Sequence, residues 1–347
     1  MDTFSIPAPE SGSTVFTKNI WKKNGSPPIL ILEEGWTEID QEAFSGAKKL
    51  LMIRIPASVV EISENAFTDA TKLHQVAFVE NSQLRTIGNE AFSGATSLER
   101  IQIPASVEEL GHSAFSKASS LREVTFEEGS RLSHIGDAAF AFTTSLNNII
   151  IPEGVARIRD FTFFGATSLE TIHIPLGVTN IENGAFIKTP MLTEIEFEPG
   201  SQISRINPMA FDPQSGLTRV VMGAPILARL NAARSLASNM PPLILGKNNF
   251  YGKDNVTIVS MAQQIATMHD IARQMTKQKM SGPPEHVINK VGEMLTGIKP
   301  QSDAVVEAAR RNGIGGKQRT IKRGIRRKQK MKTKKGKSKR RRTISRK

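Results

Sequence analysis

The residues of this chain best suited to a chemical task are cations gathered at its carboxy-terminal end. Residues 317–347 carry 18 Lys and Arg and no Asp or Glu. They cluster at Lys322-Arg323, Arg326-Arg327-Lys328, Lys334-Lys335 and Lys339-Arg340-Arg341-Arg342. Such runs hold phosphate backbones by releasing condensed counterions, without reading base sequence. The stretch has no aromatic side chain, so contact with nucleic acid or another polyanion would be electrostatic and nonspecific. Lys337 to Arg342 equally suits a nuclear-import signal. With so few apolar residues, 313–347 is expected to form a disordered basic tail.

Elsewhere the sets that support catalysis or metal binding are missing from the sequence. The six histidines (His74, His112, His134, His173, His269, His286) show no H-E-x-x-H or other ligand spacing. There is no cysteine, which excludes a disulfide scaffold and thiolate metal sites. Gly313-Ile314-Gly315-Gly316 follows no strand pattern and matches no phosphate-binding loop. Acid pairs such as Glu127-Glu128 fall in turns and read as polar filler. No cofactor or metal is expected, and no enzyme activity. Unrecognised chemistry within 225–316 stands as an alternative.

Charge is divided along the chain. The net +13 hides a body of 316 residues with 28 bases against 33 acids, a net of −5 before the tail begins. No stretch approaches the roughly 18 apolar residues that cross a bilayer. Met1 to Phe16 has an acid at position two and no apolar run, so it does not read as a secretory signal. The expectation is an intracellular protein, in the nucleus or a virion, and not a secreted one.

What must position any site is a repeat of 23 or 25 residues that recurs eight times. Its markers are Phe44, Phe67, Phe92, Phe115, Phe140, Phe163, Phe186 and Phe211. Five residues before each stands Ile or Leu, from Ile39 to Ile206, and six after each stands Leu, from Leu50 to Leu217. A fixed period of this size means a solenoid in which each unit buries its apolar face against its neighbours. Each unit reads L-x-x-I-x-I, a turn, then V-x-x-I-x-x-x-A-F. Alternation in I-x-I predicts a strand buried on one face. The part ending in A-F predicts one or two helical or 3₁₀ turns that aim the Phe inward. Pro after the strand (Ile55-Pro56, Ile103-Pro104, Ile151-Pro152, Ile174-Pro175) stops the ladder. Leu30 and Leu32 predict a ninth strand as the amino-terminal edge, giving a parallel sheet about 38 Å long.

Ile103-Pro104-Ala105-Ser106-Val107 and Ala91-Phe92-Ser93-Gly94-Ala95-Thr96-Ser97-Leu98 resemble the BspA-like class of leucine-rich repeat, over about residues 29–224. The family often has Cys where this chain has Ala47, Ala70, Ala95, Ala118 and Ala166. Its members are bacterial surface adhesins, and intracellular or virus-encoded proteins of protists and large DNA viruses. The resemblance implies interaction with another macromolecule, not a reaction, and keeps a surface adhesin-like protein as the alternative.

A partner protein is expected on the solvent-facing strand positions. These are Arg54, Gln75, Arg100, Gln102, Glu123, Thr125, Asn148, Thr171, His173, Glu194, Glu196 and Arg219, with Val221 ending the outward row. The domain reading is an amino-terminal cap over 1–28, the solenoid over 29–224, a helical appendage over 225–312 and the tail over 313–347. Within the appendage, Ile258, Met261, Ile265, Met268, Ala272 and Met275 fall three and four apart and predict an amphipathic helix over 256–279.

Overall fold

The computed structural model describes residues 3–212 and 215–223, with the strands Ile244–Leu245 and Thr257–Ser260 beyond them. The chain winds into a solenoid whose strand pairings are all parallel. L-x-x-I-x-I forms one row of strands, most of them four residues long, such as Met52–Ile55, Arg100–Ile103 and Glu194–Phe197, paired in three sheets that break after Gln75–Phe78 and after Asn148–Ile149. Their inward residues, Ile53 and Ile55 or Ile101 and Ile103, are buried as the alternation requires.

V-x-x-I forms a second ladder that the sequence reading did not anticipate. It consists of two-residue strands, including Glu38–Ile39, Glu61–Ile62 and Glu109–Leu110. The Ile or Leu of each points inward and its neighbour outward. Two residues are too short to show a period, so sequence alternation could not reveal them.

The A-F segment closes the third side, and its conformation differs from the helical turns expected. In the units of Phe44 to Phe186 two residues are left-handed, four apart, as in Asn65 and Asp69, Glu90 and Gly94, or Ser113 and Lys117, these with φ between 53° and 70°. A left-handed L-residue costs about 1–2 kcal/mol and stops a right-handed helix from propagating. Alternate amides are thereby turned toward the next coil. Glu90 N donates to His112 O, Phe92 N to Ala114 O and Gly94 N to Ser116 O, at 2.7–2.8 Å. Reversals such as Ser93 N to Glu90 O and Ala95 N to Phe92 O satisfy the residues between.

All eight repeat phenylalanines are buried, with at most 2% of their surface exposed. Their rings stack in a column with neighbouring centroids 4.8–5.6 Å apart and planes within 13° of parallel.

Leu30 and Leu32 are not the edge, because the amino-terminal segment builds another coil. Phe4–Ile6 pairs with Ile29–Leu32, and Val15–Phe16 pairs with Glu38–Ile39. Trp21 stands five residues after Phe16, the spacing of Ile39 to Phe44. It lies on the helix Lys18–Lys23, which replaces the usual turn. Phe16 stacks on Phe44 at 5.3 Å and Trp21 meets the same ring edge-on at 5.6 Å, capping the column.

At the other end both ladders continue past residue 224. Ile244–Leu245 pairs with Arg205–Ile206, and Thr257–Ser260 pairs with Arg219–Met222. The start of the helix expected over 256–279 is therefore strand. The rest of the expected appendage, and the basic tail, lie outside the described residues.

Candidate interaction surfaces

The long-strand ladder brings the expected face together in two rows. Arg54, Gln75, Arg100, Gln102, Glu123, Thr125, Asn148 and Thr171 are exposed, while His173, Glu194, Glu196 and Arg219 are half-buried. Val221 is a correction: it is fully buried. Val220-Val221-Met222 is apolar at both parities, the mark of a strand covered on both faces.

Much of this face is paired with itself through the register. Arg100 and Glu123 are cross-strand partners 3.3 Å apart, and Arg219 forms an ion pair with Glu194. His173 Nδ1 lies 3.8 Å from a Glu196 carboxylate oxygen. The hydrogen bond to Glu196 raises the His173 pKa. Partial burial opposes this, and the charges of Glu196 and Glu198 assist it.

Pairing along the face is interrupted beside Asn148–Ile149, where only an isolated bridge, Ile150 to His173, reaches the next strand. Ile150 is 69% exposed there. A cavity of about 420 Å³ opens between Phe126-Glu127 and Ile150, Pro152 and Glu153. Glu127 is not turn filler, for its carboxylate accepts the Ala105 amide at 3.0 Å. Glu34 does the same toward Ala57 (2.9 Å) and Ser58 (3.0 Å), and these bonds, the Ala57 amide first, lower its pKa. Such carboxylates fasten one coil to another. Among the described residues, no three His, Asp or Glu gather where a metal could be held.

The least expected surface lies on the turn side. Phe142 and Phe161 are 40% and 39% exposed, both left-handed, at φ 59° and 57°. Phe164 stands between them, edge-on to each at 5.1 and 5.7 Å. Lys188 Nζ sits 4.9 Å above the Phe164 ring, within cation–π range. Met209 is 56% exposed at the position equivalent to Phe161. Each left-handed ring lies over a glycine of the following coil. A Cβ on Gly165 would meet Phe142 Cδ1 at 2.9 Å, and one on Gly184 would meet Phe161 Cε1 at 2.4 Å.

The sequence reading missed this cluster, although it carried a signal. Ala139-Phe140-Ala141-Phe142 and Phe161-Thr162-Phe163-Phe164 place extra phenylalanines where most other units have Gly, Asp, Glu, Asn, Lys, Ser or Thr. Only Phe140 and Phe163 serve the core column.

A model of the BspA type leucine-rich repeat region, in six copies, matches residues 16–141 and 133–226. The chain belongs to that family. No curated protein matches it in sequence. Among solved structures, it is similar to a leucine-rich repeat protein of T. pallidum, at 22% identity and a TM-score of 0.37. That alignment covers 58% of this chain and 76% of the other. A leucine-rich repeat protein from Bacteroides ovatus gives 24% and 0.32, covering 53% and 58%. A pneumococcal vaccine antigen, PcpA, gives 16% and 0.27, covering 67% and 81%. Among the described residues, no helix is long and apolar enough to cross a membrane.

Proposed function

We propose that this chain is a non-enzymatic interaction scaffold. The solenoid engages a partner protein, and residues 313–347 hold nucleic acid or another polyanion nonspecifically or direct nuclear import. The observation that carries the scaffold reading is the Phe142–Phe161–Phe164 cluster. Two bulky residues occupy a strained backbone region, yet their rings remain about two-fifths in water. The left-handed turn belongs to the coil itself, so it is the exposed aromatic side chains that mark the site, and Phe is enriched in the cores of protein interfaces. The paired charges of the strand face, Arg100–Glu123 and Glu194–Arg219, offer a second, charged surface on the long-strand side. Residues 225–312, apart from the two strands they contribute, are assigned as a helical appendage.

Three measurements test this reading. Binding of the full chain to duplex DNA should weaken steeply as salt rises, and deleting 317–347 should remove it. Affinity that is unchanged or indifferent to salt refutes the tail assignment. In cell extracts, a partner captured by the full chain should be lost on Phe142→Asn with Phe161→Asn, because Asn tolerates the left-handed conformation. Retention of the same partner would remove the cluster from the site. An adhesin-like role predicts protease-accessible protein on intact cells, whereas the intracellular reading predicts protection.

A further inference from the structure

The short-strand ladder carries a charge pattern with no role in packing. In the eight strands from Glu38–Ile39 to Arg205–Ile206, one outward residue each lines it, in chain order Glu38, Glu61, Thr86, Glu109, His134, Arg157, Asn180 and Arg205. The first half bears three carboxylates and no cation, the second two guanidinium groups and no carboxylate. Ladder spacing makes this row about 34 Å long. On the row beside it, Asp40 adds to the acidic half and Arg159 to the basic half, while Glu182 accepts the Asn180 amide at 3.2 Å. Arg85 lies within the acidic half but faces Glu108 at 4.0 Å. Glu61, Glu109, Arg157 and Arg205 have no ion-pair partner among the described residues.

A face that changes sign at its midpoint is complementary to its own two-fold image. We propose that the short-strand face is a self-association surface on which a second copy of this chain docks antiparallel. A two-fold axis between Glu109 and His134 sets Glu38 against Arg205 of the second copy. It also places Glu61 against Asn180, Thr86 against Arg157 and Glu109 against His134. Each contact occurs twice, as an isologous interface requires. Between the charges lie Val60, 37% exposed, and Ala156, small enough for close approach. Individual exposed ion pairs contribute little, so the dimer is weak, selective in orientation and sensitive to salt. This surface is distinct from the aromatic cluster, and its failure would leave the scaffold reading in place.

Charge reversal of the full-length chain, read by sedimentation velocity, tests the proposal. The unaltered chain should dimerise at low salt and dissociate as salt rises. Glu38→Arg with Glu61→Arg leaves Glu109 as the row's one carboxylate among four guanidinium groups, and Arg157→Glu with Arg205→Glu makes the row uniformly anionic. Each double variant alone should be monomeric, and an equimolar mixture should restore a one-to-one dimer. Circular dichroism identical to the unaltered chain confirms that both variants are folded. A monomer at every salt concentration overturns the proposal, as does dimerisation untouched by both reversals. Loss on the acidic reversal alone also overturns it, because the acidic half would then be held by another cation, such as the chain's own 313–347. A mixture that stays monomeric has the same force.

Discussion

Set the coils around Phe67 and Phe92 against those around Phe140 and Phe163. Inside they are closely alike: an Ile or Val followed by an Ile or Phe from the long strand, an Ile from the short strand, and a ring stacked at 4.8 Å in one region and 5.6 Å in the other. Outside, the earlier coils present Asn65, Thr68, Asp69 and Glu90 on the turn side, where the later ones present Phe142, Phe161 and Phe164. The short-strand row likewise passes from glutamates to arginines. Repetition fixes the interior because each ring must match the ring above and below it. The outward positions carry no such constraint, so differences between coils accumulate there, and function is read from departures rather than from the motif.

That comparison can be broken most forcefully at the column. Phe115→Ala removes a fully buried ring from between two stacked neighbours. It should destabilise the solenoid by about 3–5 kcal/mol in a urea titration. A cost below about 1 kcal/mol would mean that the column is not what holds the coils together. A smaller effect separates the two outer surfaces. Gly184→Ala forces a Cβ into the Phe161 ring at φ +65°, for an expected loss of about 1–2 kcal/mol. Glu90→Ala, at the equivalent position of an earlier coil, exchanges one left-handed L-residue for another and should stay within about 0.5 kcal/mol. Equal costs would remove the distinction between the regions.

The smallest effect concerns His173. Glu196 raises its pKa in the folded state, so its stabilising contribution is complete below the unfolded value of about 6.5. It is lost as pH climbs through the higher folded value. With the imidazole partly exposed, the size is under about 1 kcal/mol. The stability advantage over His173→Asn should therefore shrink across that window in denaturant midpoints measured against pH. An advantage that grows with pH would contradict the assignment.

Much of the interior was legible in the sequence. Strict spacing from Ile39 to Phe44 to Leu50, repeated to Leu217, identified buried positions, parallel strands and the family resemblance. The shape of the coil was not. Two-residue strands such as Glu61–Ile62 leave no alternation to detect. The left-handed residues include Glu90, Ser113 and Lys117, types that do not announce that conformation as Gly or Asn would. Phe4–Ile6 and Trp21 do the work of a repeat without its consensus, since a terminal coil covers only one neighbour. Of the interaction surfaces, the strand face followed from period-two reasoning, although its internal pairing needed the register. Phe142 and Phe161 stood in the sequence as surplus aromatics beside the column residues, and only the backbone placed them in water.

The junction between the coils of Phe140 and Phe163 has a mechanical consequence. There the short-strand ladder lapses between His134–Ile135 and Arg157–Ile158, and the long-strand ladder narrows to the bridge from Ile150 to His173. Only the turn side stays closely laced, with Ala138 N to Asp160 O, Phe140 N to Thr162 O and Phe142 N to Phe164 O at 2.7–2.9 Å. Under tension along its axis, the molecule should yield first at this seam and swing open about the laced edge.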